Sequence, residues 1–346
     1  MPKDVYEEYL ETHTLDEILK GETDKPAANL IAPTNPIVPT NLSSAESKLY
    51  GVLFSDRTLM LKYFDLESKK IQLLAESSES ISSLLATDDE VYFGTTLPAS
   101  VTALFRASTQ RYPDVLVGMH HWQGRLLVYG TMGIIDAQKN LDLIPEAQFP
   151  KKFEQVSSLH TDSEGNLLAL LWLKRGSFFS GGEYYLGELR QINGSEGDYR
   201  FGKKVLKKDY FAYSIERMPK IEILPTGKPL GVGGESSAPS RLSYSYYNYT
   251  RLCLDDQSVA GLRDEISCFK LFRCTEREAE ILYSASAEQA HQLLTAKIDI
   301  KKKVVLDREV VMDKLLHPAH VLVPVTHYPL HQKLLERGHQ HEYNPI

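Results

Sequence analysis

The chain has 346 residues with 39 basic and 46 acidic side chains, a net charge of −7, and three cysteines. At this length roughly 75% of the unfolded surface can be buried without covalent staples, and Cys253, Cys268 and Cys274, odd in number and without C-x-x-C spacing, read as reduced thiols. No apolar run approaches the roughly 18 residues of a membrane span, and the charge balance, −5 over residues 1–25 and −2 over the rest, lacks the basic footprint of a nucleic-acid binder.

The N-terminus, MPKDVYEEYL, is acidic where a signal peptide is basic and then apolar, so a cytoplasmic protein is expected. Residues 1–25 read as an acidic amphipathic helical arm. Thr14-Leu15-Asp16-Glu17 has the form of a capping box, Leu15, Ile18 and Leu19 share a face, and Gly21 supplies a stop. Residues 26–36 form a proline-rich linker whose prolines impose an extended path.

From residue 37 to 328 the pattern becomes repetitive. ISSLLATDDEVYFGT at 81–95 and VGMHHWQGRLLVYGT at 117–131 are each an apolar strand, a polar turn and a second strand ending in Gly-Thr. A third copy, VSSLHTDSEGNLLALLW, begins at Val156, and a weaker one sets Val38 over Ile81, with LYGVLF, TLMLKYFD and KKIQLLAES as its later strands. Strand, turn, strand at this interval predicts an all-β fold, a single β-propeller of six or seven four-stranded blades. The fourth blade carries a hairpin at 183–191 and 199–208, and the lysines of KKVLKK suit the solvated edge of an outer strand. Later strands are expected in IEILP, RLSYSYYNYTRLCL, ISCFKLFRC, AEILYSAS, LLTAKIDI and VVLDREVV. HVLVPVTHY at 320–328 reads as a strand that completes a blade begun at the other end of the chain. Residues 329–346 read as a short solvated helix, Leu330 to Arg337, ending at Gly338 and followed by a tail.

The segment Asp162-Ser163-Glu164-Gly165-Asn166-Leu167 resembles the D-x-x-G-N-L turn of NHL-repeat and gluconolactonase-like β-propellers. The resemblance covers one blade well and lies at the level of the fold, carried by Asp162, Gly165 and Asn166. It implies an inner-strand turn. A gluconolactonase-like site would also bring a Glu, Asn and Asp metal cradle at the central mouth, but those ligands are not placed in this sequence, and no metal or other cofactor is expected.

Chemistry-bearing residues concentrate at a few places. The repeat spacing puts His121 and His160 at equivalent positions in neighbouring blades, and stacked sheets stand about 10 Å apart, too far for both to ligate one ion. His120 and Trp122 flank the turn, where Trp122 reads as a surface anchor, and Phe178 and Phe179 lie in a glycine-rich loop. Six histidines crowd the C-terminus, His317, His320, His327, His331, His339 and His341, without the acidic or cysteine partners that zinc needs. GVGGESS at 231–237 lacks the Gly-Lys-Ser/Thr of a phosphate loop and reads as a surface loop, and the tyrosines of SYSYYNYT (243–250) read as strand core. No G-x-S-x-G, H-E-x-x-H or Walker element occurs. The expected function is therefore a non-catalytic interaction or scaffold module that binds a protein partner, not nucleic acid or membrane, with His120, His121, Trp122, His160, Asp162, Phe178 and Phe179 as candidate binding residues. The alternative is a small-molecule hydrolase or lactonase-like enzyme, or a ligand-sensing propeller, with its site at the central channel mouth.

Overall fold

The computed structural model describes residues 48–56, 59–150, 153–176, 183–205, 210–212, 220–224, 226–232, 252–254, 257–262, 264–286 and 291–338. The helical arm, the proline linker, the strand at Val38, the loop with Phe178 and Phe179, most of the 231–237 loop, the tyrosine run 243–250, His339 and His341 lie outside the described residues.

Six antiparallel sheets are built outward from a central axis. Blade 1 consists, from the inside, of Val321–Val325, Gly51–Ser55, Met60–Asp65 and Ile71–Glu76. Blade 2 is Ile81–Ala86, Val91–Thr95, Ser100–Ala103 and Ser108–Arg111, and blade 3 is Leu116–Trp122, Arg125–Gly130, Gly133–Asp136 and Leu141–Pro145. Blade 4 is Gln155–Thr161, Leu167–Gly176, Glu183–Asn193 and Arg200–Lys204, with Tyr210–Ala212 also paired to Glu183–Asn193. Blade 5 is Lys220–Ile223, Pro229–Val232, Leu252–Leu254 and Gln257–Ser258, and blade 6 is Glu265–Cys274, Glu278–Ser286, His291–Asp299 and Val304–Leu315. Each innermost strand touches that of the next blade, and Val321–Val325 touches both blade 6 and blade 2, so the ring closes with six blades.

The strand period of two decides where the core sits. Val52 and Phe54 join the apolar cluster shared with blade 6, while Leu53 between them joins the cluster shared with blade 2. Among the described residues the buried hydrophobics fall into six clusters, each built from two adjacent blades. A blade therefore buries neither face alone, and stacking supplies the core.

Two local devices recur. The innermost strands of blades 2, 3, 4 and 6 carry a one-residue bulge at the same place, at Ser82, Val117, Ser157 and Ser267. The three serine hydroxyls donate across to Gly94 O (3.3 Å), Leu170 O (3.4 Å) and Ser284 O (3.1 Å), giving the interrupted ladder an added donor. The turn between the third and fourth strands is the second device. Asp65 accepts from the Glu67 and Ser68 amides, Asp136 from those of Gln138 and Lys139, and Asp299 from that of Lys302. Four residues after each aspartate, Lys69 (φ 59°), Asn140 (φ 48°) and Lys303 (φ 56°) turn the chain in the left-handed region. Burial pushes the Asp65 carboxyl up, but its hydrogen bonds from Ser68 and Glu67 outweigh this and leave it below the usual carboxylate value. Blade 2 has Ala103 in place of the aspartate, and the carboxylate comes from Glu90, which accepts from Val91 N (2.9 Å), Phe105 N (2.8 Å) and Arg106 N (3.3 Å).

The bulges also set the register. Leu116 pairs with Gly130 as Ile81 pairs with Thr95 and Val156 with Leu171. The Gly-Thr ends of blades 2 and 3 are thus one residue out of step, and the sequence alignment of Val117 with Ile81 and Val156 is corrected to Leu116. Glycine at 118 follows from packing, since a Cβ there would occupy the place of the Tyr129 ring, and the Tyr63 ring stands against Gly51 in the same way.

Closure comes from the C-terminus. Val321–Val325 pairs with Gly51–Ser55 from Gly51 opposite Val325 to Ser55 opposite Val321, which fills the innermost position that the Val38 alignment assigned to the N-terminal side. The chain then enters helix α1 (Tyr328–Gly338). The expectation of a solvated helix is overturned: Leu330, His331 and Leu334 are buried against blades 1 and 2. His331 Nδ1 shares a 2.6 Å hydrogen bond with Tyr63 Oη and its ring stacks on Tyr50 at 5.2 Å. Lys333 Nζ donates to Asp89 O and Arg337 Nε to Leu74 O, so the helix fastens both blades. No helix among the described residues is long and apolar enough to cross a membrane.

Candidate functional site

The corrected register makes His120, His160 and Lys270 equivalent. Each stands three residues beyond the bulge of its innermost strand, and each faces a leucine of the second strand, Leu127, Leu168 and Leu282. Blade 2 has Leu85 there, and in blade 5 the residue paired in this way to a leucine, Leu230, is Glu222. Four successive blades thus place His, His, Glu and Lys at one level of the axis.

Two of these side chains are in direct contact. Lys270 Nζ lies 2.6 Å from Glu222 Oε1 across the gap between blades 6 and 5. His120 Nε2 is 2.9 Å from Thr161 Oγ1 of blade 4, and His160 Nε2 is 2.8 Å from Ser158 Oγ on its own strand. Burial holds the His120 imidazole at about 3, helped by the charges of Lys270 and His121. Burial likewise holds His160 well below its ordinary value, with His120 and Lys270 acting in the same direction. Blades 3 and 6 oppose each other in a ring of six, so the field of Lys270 at His120 is a field across the channel. Tyr129 is raised by burial and, next, by the Glu222 carboxylate two blades away. The level is chemically a neutralised ion pair beside two neutral imidazoles.

The remaining sequence candidates are placed apart. His121 is buried on the opposite face of its strand from His120, towards blade 2. Desolvation lowers it and the acidic Asp88 and Asp89 partly restore it. Trp122 is no surface anchor: it is buried, its Nε1 donates to Gly165 O at 2.9 Å, and its ring meets Tyr199 edge-on at 5.8 Å. It fastens blade 3 to the blade 4 turn. Asp162 organises that turn, accepting from the Glu164 and Asn166 amides and from Asn166 Nδ2, with Gly165 at φ 83°. The D-x-x-G-N-L likeness is thus accounted for by turn geometry.

Among the described residues no group of three His, Cys, Asp or Glu side chains is gathered closely enough to hold a metal ion. Three of the C-terminal histidines are engaged in the fold: His331 by Tyr63, His327 Nδ1 by Asp88 Oδ1 at 3.1 Å, and His320 Nε2 by Ile81 O. Cys253, Cys268 and Cys274 form no disulfide, and burial pushes the Cys274 thiol up to about 11. Sequence reasoning missed Glu222 and Lys270, although each is a charge set between apolar residues of an innermost strand, in KIEI and in ISCFKLF.

A second feature lies at the end of the ring where the innermost strands begin. Leu59 follows the second strand of blade 1, Leu97 follows the second strand of blade 2, and Leu316 precedes the innermost strand of blade 1. His320 ties this end together, its amide donating to Ser55 O and its ring reaching Ile81 O. The three leucines are 45%, 61% and 84% exposed.

No family model matches the chain, and no curated protein matches it. Among solved structures it is similar to a chain in the complex of S. cerevisiae Dbp5 bound to Nup159, Gle1, IP6 and ADP, at 13% identity over 68% of this chain and 70% of that one, with a TM-score of 0.42. It is similar to the Dos1 propeller at 10% identity over 81% and 72%, TM-score 0.37, and to a chain in the complex of KlAtg21 with the coiled coil of AgAtg16 at 9% over 76% and 99%, TM-score 0.37. The six-bladed ring itself carries the propeller assignment, and nothing about function is taken from these likenesses.

Proposed function

We propose that the protein is a non-catalytic interaction module whose protein partner docks on the end of the ring that bears Leu59, Leu97 and Leu316. The observation that supports this reading is the exposure of these three leucines at one end of blades 1 and 2 and of the crossing from blade 6 to blade 1. Single exposed leucines are ordinary, whereas grouping at one rim is the pattern of a contact surface. The Leu97 loop is also firmly held, since Thr95 Oγ1 donates to Pro98 O at 2.6 Å and shares a hydrogen bond with Ser100 Oγ, so little ordering is lost on binding.

The test is cross-linking followed by mass spectrometry in native lysate, with the wild-type protein and L59E/L97E/L316E compared at equal thermal stability. A stoichiometric partner whose cross-links fall on this rim and vanish in the triple variant is the expected result. A wild-type protein without such a partner, or a partner retained by the variant, overturns the reading.

A further inference from the structure

We infer that the central channel holds a binding site for a small zwitterion, a free amino acid being the simplest chemical class, between Lys270 and Glu222. The inference is independent of the docking rim. It begins from an oddity of placement: innermost strands are otherwise apolar or small at this level, as Leu85 shows, yet four successive blades supply His120, His160, Glu222 and Lys270. Groups that stabilised only the fold would be closed off, whereas Lys270, although paired with Glu222 and standing on an innermost strand, keeps a side chain that is 45% exposed, so solvent reaches it.

The charges select the ligand. Lys270 and Glu222 cancel, and both imidazoles are held neutral, so an anion or a cation entering alone would leave one uncompensated charge in a partly enclosed place. A polyol brings no net charge, but its neutral hydrogen bonds compete poorly with an ion pair at 2.6 Å. A zwitterion answers both conditions: its carboxylate replaces Glu222 on Lys270, its ammonium replaces Lys270 on Glu222, and the local charge stays zero. His120, uncharged, half-buried and already oriented by Thr161 Oγ1, stands at the same level as a neutral hydrogen-bonding group for the rest of the ligand.

The experiment is calorimetry and ligand-observed NMR on the full chain with the twenty free L-amino acids. Acetate, ethylammonium and glycerol serve as single-charge and neutral probes. At least one amino acid is expected to bind, and E222Q/K270M, which removes both charges together and keeps the level neutral, is expected to weaken it by about tenfold or more, the factor equivalent to about 1.4 kcal/mol. H121Q, beside His120 on the blade 3 strand but on the face turned towards blade 2, is expected to bind as the wild type does. Acetate binding as tightly as any amino acid, glycerol binding undiminished in E222Q/K270M, or no binding by any probe would each overturn the inference.

Discussion

Replacing Glu90 with alanine removes the carboxylate that joins two turns of blade 2. Glu90 is 2% exposed and receives the amides of Val91, Phe105 and Arg106, with the Arg106 guanidinium 3.6 Å away. A hydrogen bond to a charged acceptor contributes about 1.5–3 kcal/mol. Three donors share one group, however, and the Phe105 and Arg106 contacts are only partly buried, so water recovers part of the loss and a total of about 3 kcal/mol is expected. At about 2–4 °C per kcal/mol this lowers Tm by about 6–12 °C. Urea and thermal melts of E90A measure it. Blades 1, 3 and 6 solve the same turn with Asp65, Asp136 and Asp299, so adding A103D to E90A should recover about half of the loss or more. An E90A protein within about 0.5 kcal/mol of wild type would refute the account of the turn, and a double variant no more stable than E90A would refute the equivalence of the blades.

Stability should also depend on pH through the channel histidines. The folded values of His120, about 3, and of His160 lie below the unfolded value of about 6.5, so between these limits the unfolded state binds more protons. Stability is therefore full above about pH 6.5 and falls as pH drops towards 3, by up to about 1.4 kcal/mol per pH unit for each histidine. Urea melts at pH 7.5 and 5.5 should differ in the wild type and differ less in H120Q/H160Q, where His121 still contributes, and an unchanged wild type contradicts the burial argument. L334A removes a fully buried contact of α1 and should lose about 2–5 kcal/mol, with faster hydrogen exchange in Gly51–Ser55; a loss below about 1 kcal/mol would mean that the helix does not hold blade 1. D162A should lose about 1 kcal/mol and shift the Trp122 emission, because the turn presents Gly165 O to its indole. Unchanged emission would detach the tryptophan from the turn.

What was legible in the chain follows from which interactions are local. Alternation and turn chemistry mark each strand by itself, so strands were readable from runs such as TLMLKYFD at 58–65, with Leu59, Leu61 and Tyr63 on one face and Met60, Lys62 and Phe64 on the other. The channel was not, because its level depends on bulges that insert one residue into the pairing. Gly94-Thr95 and Gly130-Thr131 look equivalent, yet Thr95 faces Ile81 while Gly130 faces Leu116, and this slip matched His121 rather than His120 with His160. The bulge itself has a trace in the sequence, ISS at 81, VSS at 156 and ISC at 266, and the aspartate turns have another, in FDLESK, IDAQKN and IDIKKK. Burial of Trp122 was hidden for a different reason: its cover, Tyr199 and Gly165, comes from a neighbouring blade.

The closing strand has a consequence for how the protein is made. Gly51–Ser55 is translated before blades 2 to 6, but its inner neighbour Val321–Val325 is translated after them. Blades 2 to 6 are complete in sequence order and free to stack as they appear, whereas blade 1 waits with one edge unpaired until the last strand is released. Any copy cut short before Val325 is left as an open arc with that edge bare, a form that a chaperone or protease reading unpaired strands can tell from the finished ring.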